Sequence, residues 1–121
     1  MDSHDLISIV EDDASMREAL EGLVRSLGHG ARGFASAEEY LAVRDGRCAC
    51  VITDIQLPGI DGLAMITRLR ALGYRTPVIV MTARASPAME RAAIAAGAFC
   101  FLAKPFDMPV LIDCLERALA A

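Results

Sequence analysis

The chain of 121 residues has no tryptophan, two tyrosines and four phenylalanines, so it offers no obvious platform on which nucleic-acid bases could stack. Its formal net charge of −4, with a pI near 5.1, argues against a domain that holds a phosphate backbone by itself. No apolar stretch is long enough to span a bilayer, and the acidic start Met1-Asp2-Ser3-His4-Asp5 lacks the basic segment of a signal peptide. The four cysteines, Cys48, Cys50, Cys100 and Cys114, form no CxxC pair of the zinc or thioredoxin kind. They read as small core residues in a reducing cytoplasm, with Cys48 and Cys50 expected on one face of a strand. Two isolated histidines, His4 and His29, receive no metal role.

What is present is a compact domain. A hydrophobic content of 55% with 23% charged residues excludes disorder, and the length suits one domain over 1–121 whose core needs no metal or disulfide.

Apolar β-branched runs alternate with helical spacing. Residues 6–10 read as a strand followed directly by Glu11-Asp12-Asp13; then Met16, Leu20, Leu23, Val24 and Leu27 share a helical stripe that stops at Gly28. Residues 31–34 make a weak second strand. Ser36 and Glu39 form a capping box for a helix to about residue 43, ended by Asp45-Gly46. A third strand, Cys50-Val51-Ile52-Thr53, delivers Asp54 to its carboxyl end before the Pro58-Gly59 turn. A helix over 61–72 follows and stops at Gly73. Residues 77–81 are the fourth strand, ending at Thr82. Ser86-Pro87 starts a helix to about residue 96, with Gly97 at its end. Residues 98–103 are the fifth strand, ending at Lys104-Pro105. The closing helix, 107–119, is expected to turn Val110, Leu111, Cys114, Leu115 and Ala118 inward. Five strands alternating with five helices specify an α/β fold: a five-stranded parallel sheet, helices on both faces, in the flavodoxin-like order 2-1-3-4-5.

All strand-to-helix loops of such a sheet open at one edge. That edge collects Glu11, Asp12, Asp13, Asp54, Gln56, Thr82 and Lys104. Taken singly, an Asp after a strand is a turn or cap residue and a Lys is a solvated one; their coincidence on four strands is the signal. Clustered carboxylates need a cation to stay ionised together, and oxygen-only ligands suit Mg²⁺. A carboxylate so placed can form an acyl phosphate, with Lys104 and the Thr82 hydroxyl meeting the charge of the transferring group. Acids after the first strand stand where a dinucleotide-binding turn needs glycines, and neither a P-loop nor a Gly-x-Ser-x-Gly elbow is present.

The ordered set Val10-Glu11-Asp12-Asp13, Thr53-Asp54-Ile55-Gln56-Leu57-Pro58-Gly59, Met81-Thr82-Ala83 and Lys104-Pro105-Phe106 resembles the receiver domain of two-component response regulators. The resemblance covers nearly the whole chain. It implies that Asp54 is the phosphoacceptor, that Asp12 binds Mg²⁺ directly, that Glu11 reaches the metal through water, and that Gln56 offers its backbone carbonyl. It further implies phosphate contacts from Thr82 and Lys104, and a switch position at Phe101, which as a core residue of the last strand has a plainer reading. Asp13 is expected to cap the first helix. A histidine kinase or phosphotransfer protein is the implied donor, a homodimer through helix 4 and strand 5 a possible assembly, and the cytoplasm the location. No contact of this domain with nucleic acid or membrane is expected. Two other readings stay open: a metal-dependent aspartyl-phosphate hydrolase, and a binding module with an inactive site. Sequence also leaves open whether the chain stands alone or belongs to a DNA-binding regulator.

Overall fold

A computed structural model describes residues 5–43 and 48–121. The expectations for His4 and for Asp45-Gly46 lie outside those residues.

Among the described residues the elements run β1 (Leu6–Val10), α1 (Ala14–Ser26), β2 (Gly30–Phe34), α2 (Ala37–Val43), β3 (Cys48–Asp54), α3 (Gly62–Ala71), β4 (Val78–Thr82), α4 (Pro87–Ala96), β5 (Cys100–Ala103) and α5 (Met108–Ala120). The strands pair in parallel in the order β2-β1-β3-β4-β5, as the alternating pattern predicts. Both faces of the sheet are covered, which is why β3 and β4 read as nearly unbroken apolar runs. One layer packs Leu20 and Val24 of α1 and Leu111 and Leu115 of α5 on Ile7, Ile9, Ile52 and Ile79. The other packs Tyr40, Met65, Ile66 and Ala93, from α2, α3 and α4, on Val10, Val51 and Val80.

The starts of α1 to α4 are built by side chains that accept otherwise unpaired first-turn N–H groups, whereas Asp107 before α5 makes no such bond. Asp13 accepts from Ser15, Asp61 from Ala64 and Ser86 from Met89, at 3.1, 2.8 and 3.0 Å. The expected cap by Asp13 is therefore present. In the capping box before α2, Ser36 Oγ accepts the Glu39 N–H, and Glu39 reaches back to the N–H of Ala35. Gly97 closes α4 at a φ of +108°, a conformation that a Cβ would strain.

Two expectations are corrected. Cys48 and Cys50 do not share a face: the pairing of β1 with β3 slips between Leu6↔Cys48 and Ile7↔Cys50, and the extra residue turns Cys48 to the layer under α2 and α3. Cys50 stays in the opposite layer. Val110 is not inward but 46% exposed. It sits about 90° around the helix from the centre of the stripe made by Leu111, Cys114, Leu115 and Ala118.

At the edge opposite the carboxyl ends, one guanidinium ties two loops together. Arg70 Nη1 donates to the carbonyls of Tyr74 and Thr76 at 3.1 and 2.9 Å, and Nη2 to that of Gly97 at 3.1 Å. An Arg70→Met variant, which keeps the stem but leaves these carbonyls without their charged donor, is expected to lose about 2 kcal/mol in urea unfolding. Its melting temperature should fall by roughly 7 °C.

Candidate functional site

Four strands deliver the predicted residues to one edge. Glu11 and Asp12 follow β1, Asp54 ends β3, Thr82 ends β4 and Lys104 follows β5. Because these strands are neighbours in the order β1-β3-β4-β5, parallel pairing alone converges their carboxyl ends. Carboxylate oxygens of Glu11, Asp12 and Asp54 lie within 4.8 Å of one another.

One cation holds the cluster. Lys104 Nζ donates to Asp54 Oδ2 at 2.8 Å and to Glu11 Oε1 at 3.2 Å. Glu11 is 2% exposed and Asp54 8%, so little water screens these pairs. Burial pushes the Glu11 carboxyl above its usual range, and the Asp13 N–H and the Lys104 ammonium oppose the shift without cancelling it. Burial also disfavours the charged form of Lys104, but its bonds to Asp54 and Glu11 outweigh that cost and raise its pKa.

The remaining contacts orient the cluster. Gln56 N–H donates to Asp54 Oδ1 at 3.1 Å, and the side-chain Oε1 of Gln56 accepts the Thr82 hydroxyl at 2.7 Å. Thr82 Oγ1 in turn accepts the Arg84 N–H at 2.9 Å. Phe101 lies half-buried on β5, within the layer under α2, α3 and α4. A groove of about 620 Å³ opens beside Asp12, walled by Gln56, Leu57, Pro58, Gly59 and Met89. The donor set is all oxygen, with two buried carboxylates and an exposed third that leaves room for water. Such a set fits Mg²⁺, which takes one or two carboxylates and retains several waters.

Two residues were not legible as site residues. Arg17 Nη1 donates to the Glu11 carbonyl at 2.8 Å, folding back from α1 onto the acidic loop. Gly62, which reads in sequence only as part of a helix start, lies directly under Asp54. A Cβ at Gly62 would stand 2.5 Å from the Asp54 carbonyl oxygen and 3.0 Å from Ile55 Cα.

An open parallel sheet bearing acids, a hydroxyl and a lysine at its carboxyl edge is the architecture of a receiver module. The chain belongs to the response regulator receiver domain family of two-component systems, matching it over residues 7–116. It is 37% identical over 119 residues to the response regulator protein TmoT of Ectopseudomonas mendocina, covering 98% of this chain and 54% of that protein. It is 33% identical over 114 residues to the transcriptional regulatory protein FixJ of Bradyrhizobium diazoefficiens, covering 93% of this chain and 56% of that one. The chain thus spans about half the length of these relatives. The solved response regulator StyR superposes with a TM-score of 0.89 at 33% identity, over 98% of this chain and 60% of that one.

A Gly62→Ala variant should be destabilised by about 2 kcal/mol, because the contact is with backbone that cannot swing aside. Amide spectra should show Asp54 and Ile55 displaced, and unchanged Asp54 resonances would contradict the close approach. For Lys104 the raised pKa sets the sign: its stabilisation is full below the ordinary value of 10.5 and is lost as pH climbs through the higher folded value. The difference in unfolding free energy between the native protein and Lys104→Met should therefore be flat from about pH 7 to about pH 10 and shrink above.

Proposed function

We propose that this receiver accepts a phosphoryl group on Asp54 from the phosphohistidine of a histidine kinase or phosphotransfer protein. The observation that carries the proposal is the buried Asp54 carboxylate, bonded to Lys104 at 2.8 Å and within 4.8 Å of two further carboxylates. Asp12 and Asp54 would hold Mg²⁺ directly, Glu11 through water and Gln56 through its backbone carbonyl. When bound, the ion neutralises charge on the acids and on the phosphoryl oxygens. A carboxylate oxygen of Asp54 attacks phosphorus in line; a P–O bond forms as the P–N bond breaks, and the bond's electrons leave with the imidazole nitrogen, which takes a proton from water. Lys104 stays against the growing charge. Thr82 turns its hydroxyl from Gln56 to a phosphoryl oxygen.

Phe101 follows into the space that Thr82 and its loop vacate, so the surface of α4, β5 and α5 changes shape. The new charge favours one of two arrangements because it bonds to Thr82 and Lys104 better in that one. That surface would control an output domain or partner, with dimerisation through α4 and β5 as one outcome. FixJ and TmoT, described as regulators, support this reading, as does the match over about half their length. The chain itself would act in the cytoplasm as a single signalling domain over 1–121 that assists its own phosphorylation and dephosphorylation.

Incubation with MgCl2 and acetyl phosphate, followed by intact mass measurement, should add one phosphoryl group to the native protein. None should be added to Asp54→Asn or to native protein stripped of divalent metal. Label on Asp54→Asn at the native rate would remove Asp54 from the mechanism. Repeated turnover without a phosphorylated species would replace the switch by a hydrolase.

A further inference from the structure

Two adjacent glutamates open α2, and they face different partners. Glu39 serves its own helix, accepting the Ala35 N–H at 3.0 Å. Glu38, beside its own backbone N–H, reaches across to another element: its Oε2 accepts the backbone N–H of Ile60, 22 residues further on, at 3.0 Å. The same oxygen covers Gly59, whose φ is +76°, and a Cβ there would lie 2.3 Å from it. The bond to Ile60 is the main reason the Glu38 carboxyl lies below its usual range, so the acid is ionised and the bond charge-assisted.

Gly59 and Ile60 belong to the loop that leaves Asp54 for α3. At its near end the loop is fixed by the Gln56 N–H on Asp54 Oδ1. At its far end Glu38 holds it from a different element. Between these anchors Leu57 and Pro58 wall the groove beside Asp12, and Gln56 is the residue assigned to the metal through its carbonyl. A loop closed at its base and pinned at Ile60 presents that carbonyl in one place; without the Glu38 bond only the closure from the Gly62 N–H to the Ile55 carbonyl, at 2.9 Å, is left, and the segment between must be ordered further each time an ion binds.

We infer that Glu38 is a positioning residue of the acidic site, setting the loop after Asp54 from α2 and so raising the affinity of the site for a divalent cation. The inference rests on the Mg²⁺-dependent phosphoacceptor reading above and adds to it a residue outside the family motifs quoted for this chain. It requires the hydrogen bond and not the charge alone, which separates it from general attraction of a cation by an acid.

The test compares native protein, Glu38→Ala and Glu38→Gln by calorimetric titration with MgCl2 and by labelling with acetyl phosphate, with thermal unfolding run on all three. Glu38→Ala should bind Mg²⁺ about tenfold more weakly, while Glu38→Gln, whose amide oxygen still accepts the Ile60 N–H, should stay within about twofold of native. Labelling of Glu38→Ala should be slow at limiting Mg²⁺ and return to the native rate at saturation. Native Mg²⁺ affinity in Glu38→Ala overturns the inference and leaves the phosphoacceptor reading standing. Equal weakening in Glu38→Gln also overturns it, by assigning the effect to charge. Absence of Mg²⁺ binding by the native protein overturns both.

Discussion

Three carboxylates held within 4.8 Å of one another repel, and the fold keeps them together largely through a single ammonium that contacts two of them. Everything else at the carboxyl edge is arranged so that Lys104 arrives there. It follows β5, a strand of four residues at the margin of the sheet, whose register is set by pairing with β4 through Thr82↔Ala103. The Lys104 N–H then continues that pairing onto the Thr82 carbonyl at 2.8 Å. The cation and the hydroxyl are therefore placed by the same backbone contact. Arg17 acts from the other side, fixing the loop that carries the acids through the Glu11 carbonyl.

The covered sheet explains how so small a domain can keep ionised groups nearly dry. β4 is buried along its whole length and β3 over its last five residues, so neither strand can slide or tilt without opening apolar packing on both faces. Asp54 and Thr82 inherit that rigidity from the strands they end. The acids are costly to bury singly; the strands supply the order, and the lysine supplies the compensating charge.

The fold order and the converging edge were legible because each depends on a local signal: β-branched runs, stop glycines, and capping residues at Asp13, Ser36 and Ser86. Even the weak β2 was legible, since any strand beside β1 completes the alternation. Arg17, Glu38 and Gly62 were not, because their partners lie in other elements or on a backbone that only the tertiary fold brings near. Cys48 was misplaced for a related reason: period-two alternation assumes an unbroken ladder, and nothing in Cys48-Ala49-Cys50 announces the slip against Leu6 and Ile7. Val110 failed at the margin of an amphipathic stripe, where one step around the helix separates core from solvent.

The bond between Thr82 and Gln56 is also a matter of proton counting. A hydroxyl owns one hydrogen, and in this arrangement that hydrogen points at the Gln56 amide oxygen, while a lone pair of the Thr82 hydroxyl oxygen is taken by the Arg84 N–H. An oxyanion that bonded to this hydroxyl would not share that hydrogen with Gln56; it would displace it. The amide oxygen left behind then needs another donor, and water is the readiest one at a half-buried site. The two orientations of this side chain are thus mutually exclusive, so the hydroxyl could meet an anion only by exchange, with no graded position between.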